Sequence, residues 1–129
     1  MIHILVVTHG MMAEGIVQTA KMFAGEQENL DYVCFKEDMG QEELTELLDE
    51  KMKGVPVGEQ LLIFCDILGG TPFNVSSRLA FKNENISIFY GVNLPILVSA
   101  ILSREGQNLQ ELTGSLVAAS NESLGLSTL

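Results

Sequence analysis

An α/β fold, an open and mainly parallel sheet with helices on both faces, is predicted by two features of the sequence. Short β-rich apolar runs alternate with longer stretches of helical periodicity, the pattern of repeated βα units. Two of those runs also end in polar, glycine-containing turns: Thr8-His9-Gly10, and Asp66 ahead of Gly69-Gly70-Thr71. The carboxyl edge of a parallel sheet is where such turns gather ligands. With 129 residues, 47% of them hydrophobic, the chain is expected to form a single domain, 1–129, around a substantial core.

Strand one is expected over Ile2 to Val7. The helix after it, about Met12 to Phe23, sets Ile16, Ala20 and Phe23 on a recurring face and stops near Gly25, a C-terminal cap. Strand two is Leu30 to Phe35. A helix from about Gln41 to Lys53 follows, with Leu44, Leu47 and Leu48 as its buried stripe and an acidic outer face. Gly54-Val55-Pro56-Val57-Gly58 breaks it and returns the chain to strand three, Leu61 to Cys65. Phe73 to Phe81 reads as a helix and Ile86 to Tyr90 as strand four. Pro95 suits the first turn of a helix running to Leu102, because its missing N–H costs nothing there. That helix is more apolar than one buried face requires, so it is expected to pack between the sheet and something else, a subunit interface being one candidate. Beyond Gly106, Leu109, Leu112, Leu116 and Val117 favour a helix over an edge strand at Thr113 to Ala118, and Leu124 to Leu129 reads as a loose tail.

Charge and cysteine usage narrow the function. Seventeen acidic against seven basic residues give a formal net charge of −10, which argues against a nucleic-acid binder. Cys34 and Cys65 lie in apolar runs without metal-ligand spacing, so buried reduced thiols are expected, and no metal or cofactor is required. The sequence opens directly into a strand, and no apolar run approaches the ~20 residues that span a bilayer; a cytoplasmic location without membrane insertion is expected.

His9 and Asp66 end two strand candidates at equivalent locations and are expected to meet across one crevice. A neutral imidazole is a good nucleophile toward phosphorus, and a carboxylate on one ring nitrogen fixes the tautomer and leaves the other lone pair free. Asp66 fills that orienting role and stabilises the charge developing on the ring. N–H groups near Gly10, Gly69, Gly70 and Thr71, with the Thr71 hydroxyl, are expected to cradle the phosphoryl oxygens. His3, inside strand one, is expected only to pack. Asn74 and Asn93 read as loop braces or caps, and Met11 and Met12 as peripheral.

Four ordered segments carry a resemblance over nearly the whole chain: Val6-Val7-Thr8-His9-Gly10 with Ala13-Glu14, Gly25-Glu26-Gln27-Glu28-Asn29, Asp66 through Asn74, and Gly91-Val92-Asn93-Leu94-Pro95. Together they resemble the mannose-type enzyme IIA components of the bacterial phosphoenolpyruvate-dependent sugar phosphotransferase system. The resemblance implies that His9 carries phosphate on Nε2, taken from the histidine-containing phosphocarrier protein and passed to a separate IIB component, with membrane IIC and IID components reached only indirectly. It further implies that Asp66 bonds Nδ1, that Thr71 is the small hydroxyl residue near the phosphate, and that strands run in the order 2-1-3-4. A homodimer, with an antiparallel edge strand exchanged between subunits, is implied as well. Leu68 departs from the family, some members of which carry an aromatic residue there. Two alternatives remain: the phosphotransfer subunit of a dihydroxyacetone kinase, and a non-catalytic regulatory module that binds an anion in the same crevice.

Overall fold

β1 (Ile2–His9) sorts its side chains by simple alternation. Ile2, Ile4 and Val6 enter one core cluster and Leu5 and Val7 another, so the strand is buried on both faces. The computed structural model describes all residues, 1–129. The elements follow in the order α1 (Met12–Ala24), β2 (Leu30–Phe35), α2 (Gln41–Lys53), β3 (Gln60–Cys65), α3 (Thr71–Ala80), β4 (Ile86–Tyr90), α4 (Leu94–Ser103) and α5 (Leu109–Ala119), with a short 3-10 turn at Ser120–Glu122. The four strands are parallel and ordered β2-β1-β3-β4. Helices α1, α4 and α5 cover one face, and α2 and α3 the other. β1 runs past the expected Val7 because Thr8 and His9 pair with Cys34 and Phe35 of β2.

Two expectations need correction. Phe23 is 65% exposed, because the stripe of α1 that meets the sheet is Ala13, Val17 and Ala20. Leu47 sits at the margin of α2, whose buried positions are Leu44 and Leu48. The strongly apolar α4 packs, as expected, against more than the sheet, with α1 and α5 both touching it. The helix preferred beyond Gly106 is present as α5. It opens on a capping box in which Asn108 Oδ1 accepts the Glu111 N–H at 2.8 Å and Glu111 Oε1 accepts the Asn108 N–H at 3.0 Å. Residues 125–129 are irregular and exposed, and the antiparallel edge strand implied by the resemblance has no counterpart within a single chain.

At the amino edge of the sheet, Arg104 follows α4 and is only 7% exposed. Its Nη1 donates to the carbonyls of Ile2 (3.1 Å) and Asn29 (2.9 Å), and its Nη2 to the Glu28 carbonyl (2.6 Å) and Gln27 Oε1 (3.1 Å). Burial lowers its pKa, with the Glu105 carboxylate opposing, yet a guanidinium stays charged at any physiological pH. This one side chain ties the end of α4 to the start of β1 and to the α1–β2 loop.

Candidate functional site

At the carboxyl edge, alternation sends Thr8 and His9 to opposite faces: Thr8 toward α1, buried, and His9 toward α3, exposed. His9 Nδ1 lies 2.8 Å from Asp66 Oδ2, and the same oxygen accepts the His9 backbone N–H at 3.0 Å. A carboxylate oxygen only accepts, so in the neutral imidazole Nδ1 carries the proton and Nε2 keeps its lone pair. The imidazole side chain is 44% exposed whereas the Asp66 side chain is 11% exposed. The ring edge also meets Phe35 at 5.8 Å between centroids.

Asp66 follows β3, next to β1 in the sheet, and the β4–α4 turn holds its backbone in place. The Gly91 N–H donates to the Asp66 carbonyl at 3.0 Å and the Val92 N–H to the Cys65 carbonyl at 3.1 Å. Asp66 Oδ1 accepts the Ile67 N–H at 3.0 Å. Burial is the largest influence on this carboxyl and works against its charge. The hydrogen bonds from His9 and Ile67 together outweigh it and hold the pKa below the ordinary carboxylate value. Its neighbour Cys65 is fully buried; burial pushes that thiol up to about 12, with Ser76 opposing and the Asp66 charge adding to it.

The expected phosphate cradle is corrected in part. The Gly10 N–H is engaged by the Phe35 carbonyl at 2.8 Å and the Gly70 N–H by the Ile67 carbonyl at 3.3 Å, so neither is a free donor. Gly10 has φ +59°, which lets the chain turn from β1 into α1. Gly70 acts through clearance: a Cβ there would lie 2.8 Å from His9 Cε1. The N–H groups of Gly69 and Thr71 have no partner within the protein, nor has the Thr71 hydroxyl, and Thr71 opens α3. The N–H groups of Met11 and Met12, at the start of α1, are free as well and went unnoticed in the sequence, where both residues read as peripheral. Asn74 braces the loop, donating from Nδ2 to the Gly69 carbonyl at 2.9 Å, and Asn93 caps α4 by accepting the Ile96 N–H at 3.1 Å. His3 lies outside the site and pairs through Nε2 with Glu59 at 2.8 Å, a partner 56 residues away in sequence.

Met11, Met12, Ile67 and Leu68 are exposed on the two turns that bear His9 and Asp66. No group of three or more His, Cys, Asp or Glu side chains is placed to hold a metal ion, and no helix is long and apolar enough to cross a membrane.

Fold and site together define an open parallel α/β domain with a carboxylate-anchored histidine at the carboxyl edge of its sheet. Residues 3–117 match the EIIA-man family, described as the PTS system fructose IIA component. The chain is 33% identical over 122 residues to the mannose-specific EIIAB component of Escherichia coli K12, covering 94% of this chain and 38% of that protein. It is 32% identical over 123 residues to the fructose-specific EIIA component of Bacillus subtilis, covering 95% and 84%. The crystal structure of a phosphotransferase system EIIA component from Streptococcus agalactiae superposes with a TM-score of 0.89 at 31% identity, covering 98% of this chain and 97% of that one. The chain belongs to the EIIA-man family, the mannose-type enzyme IIA components of the sugar phosphotransferase system, and such components are phosphotransferases.

Proposed function

We propose that the protein is a phosphoryl carrier that accepts phosphate on Nε2 of His9 from the histidine-containing phosphocarrier protein and donates it to a IIB component. The observation that carries this reading is the imidazole itself: Nδ1 is bonded to Asp66, Nε2 has no partner within the protein, and the side chain is 44% exposed. The Nε2 lone pair forms the new N–P bond as the bond from phosphorus to the donor nitrogen breaks, and the Nδ1 proton stays on the ring against Asp66. The free N–H groups of Gly69, Thr71, Met11 and Met12 supply the positive end of two helix starts for the phosphoryl oxygens without a basic side chain. The exposed apolar residues flanking His9 suit a protein donor and acceptor better than a small, fully hydrated substrate.

The reading includes a cytoplasmic homodimer that reaches membrane IIC and IID components only through IIB. The open edge of β4 and the exposed Leu124, Leu126 and Leu129 support an exchanged strand in that dimer.

Intact-mass analysis tests the carrier role, after incubation with phosphoenolpyruvate, enzyme I and the phosphocarrier under alkaline conditions. Wild type is expected to gain one acid-labile phosphate, and His9→Ala none while keeping its fold. A folded wild type without an adduct would sink the carrier reading.

A further inference from the structure

We infer that Thr8 is a positioning residue for phosphoryl transfer, setting the free peptide donors of the β1–α1 turn against Nε2 of His9. The inference rests on the carrier reading and goes beyond it, to a side chain that touches neither the imidazole nor the phosphate. Thr8 is fully buried, on the α1 side of β1. Its Oγ1 accepts the Ala13 N–H at 2.8 Å and donates to the His9 carbonyl at 3.1 Å. Met11, at the N-cap of α1, has no side-chain acceptor to offer, so the Thr8 hydroxyl does the capping from the preceding strand.

The consequence is a sorting of donors. Of the N–H groups that open this segment, Gly10 is taken by Phe35 and Ala13 by Thr8, which leaves those of Met11, Met12 and Glu14 without a partner. Because the same hydroxyl also bonds the carbonyl of His9, the helix start and the nucleophile's own peptide are fixed to one atom. A turn so closed has little freedom to rotate its free N–H groups, and donors held in place in advance need no reorganisation during transfer.

The test is the rate of phosphate uptake from the phosphocarrier in Thr8→Val, which keeps the shape and removes the hydroxyl, and Thr8→Ser, which keeps the hydroxyl. Val17→Ala, on the buried face of α1 away from the turn, serves as a destabilised control. All are assayed at a temperature where circular dichroism shows them folded. Should Thr8→Val not fold at any temperature, Thr8→Cys takes its place. The hydroxyl-free variant is expected to lose kcat by about tenfold, the scale of one misaligned hydrogen bond. The KM for the phosphodonor and the pH profile stay unchanged, because Thr8 is buried and bonds neither the His9 imidazole nor the Asp66 carboxylate. Thr8→Ser is expected to recover the rate, and Val17→Ala to keep it despite a lower Tm.

A hydroxyl-free variant with the wild-type rate, a Thr8→Ser that stays slow, or a Val17→Ala that is slowed equally would each overturn the inference. A wild type that takes up no phosphate overturns the carrier reading, and this inference with it; loss confined to the Thr8 variants leaves the carrier reading intact.

Discussion

At the amino edge of the sheet, Arg104 is 7% exposed and gives its donors to three backbone carbonyls and one side-chain oxygen of the same chain. At the carboxyl edge, His9 keeps a 44% exposed side chain with one nitrogen unpaired, and the neighbouring turns carry peptide N–H groups that bond to nothing in the protein. Both edges concentrate strong polar groups on β1 and its neighbours. One satisfies them internally, and that holds the fold. The other satisfies only what orients the imidazole and leaves the rest to a ligand. Buried polar groups stabilise when their partners are complete, whereas on the proposed carrier reading the site keeps some partners missing until a phosphoryl group arrives.

Asp66→Asn should break the carboxyl edge most severely. The amide keeps the shape of the side chain but removes the charge that balances the developing imidazolium, so transfer to His9 should fall about a thousandfold, roughly 4 kcal/mol of barrier. Single-turnover phosphorylation would measure it, and Tm should change far less than the rate. Arg104→Met should do the reverse. Stripping the guanidinium from the Ile2, Glu28 and Asn29 carbonyls should cost about 3 kcal/mol of stability by urea unfolding. The rate of phosphate uptake should hold wherever the variant remains folded.

Gly70→Ala sharpens the contrast further. The new methyl would overlap His9 Cε1 at 2.8 Å, tilt the ring away from Asp66 and slow transfer about tenfold, read by the same single-turnover assay. The smallest effect concerns acid. Asp66 has a folded pKa below its unfolded value of about 3.9, so its ionised form contributes stability that is complete above that value. This contribution disappears as pH falls from the unfolded pKa through the lower folded one. Wild type should therefore lose slightly more stability than Asp66→Asn over that acid window, by urea titration at each pH.

Local signals carried most of the architecture from the sequence. The alternation of apolar runs with helical periods located every strand and helix, and the turns after strands one and three identified His9 and Asp66. Residues whose role depends on distant partners were not legible. Nothing near Arg104 in sequence points to Ile2, 102 positions away, and His3 finds Glu59 only because β1 and β3 are adjacent. Phe23 misled because helical spacing says which residues share a face, not which of two apolar faces the sheet takes. The two glycines after Asp66 look alike in sequence but serve different ends. Gly69 adopts φ +81°, and Gly70 leaves room for a ring that approaches from another strand.

The alternation along β1 turns that strand into a ruler. Thr8 must point at one helical layer and His9 at the other, so sliding the strand by a single residue would exchange them, burying the imidazole and exposing the hydroxyl. The Arg104 bond to the Ile2 carbonyl, at the far end of the same strand, opposes such a slide. Chemical identity at the carboxyl edge is thus a matter of counting from the amino edge, and the zero of that count is set by a side chain at the opposite end of the strand from His9.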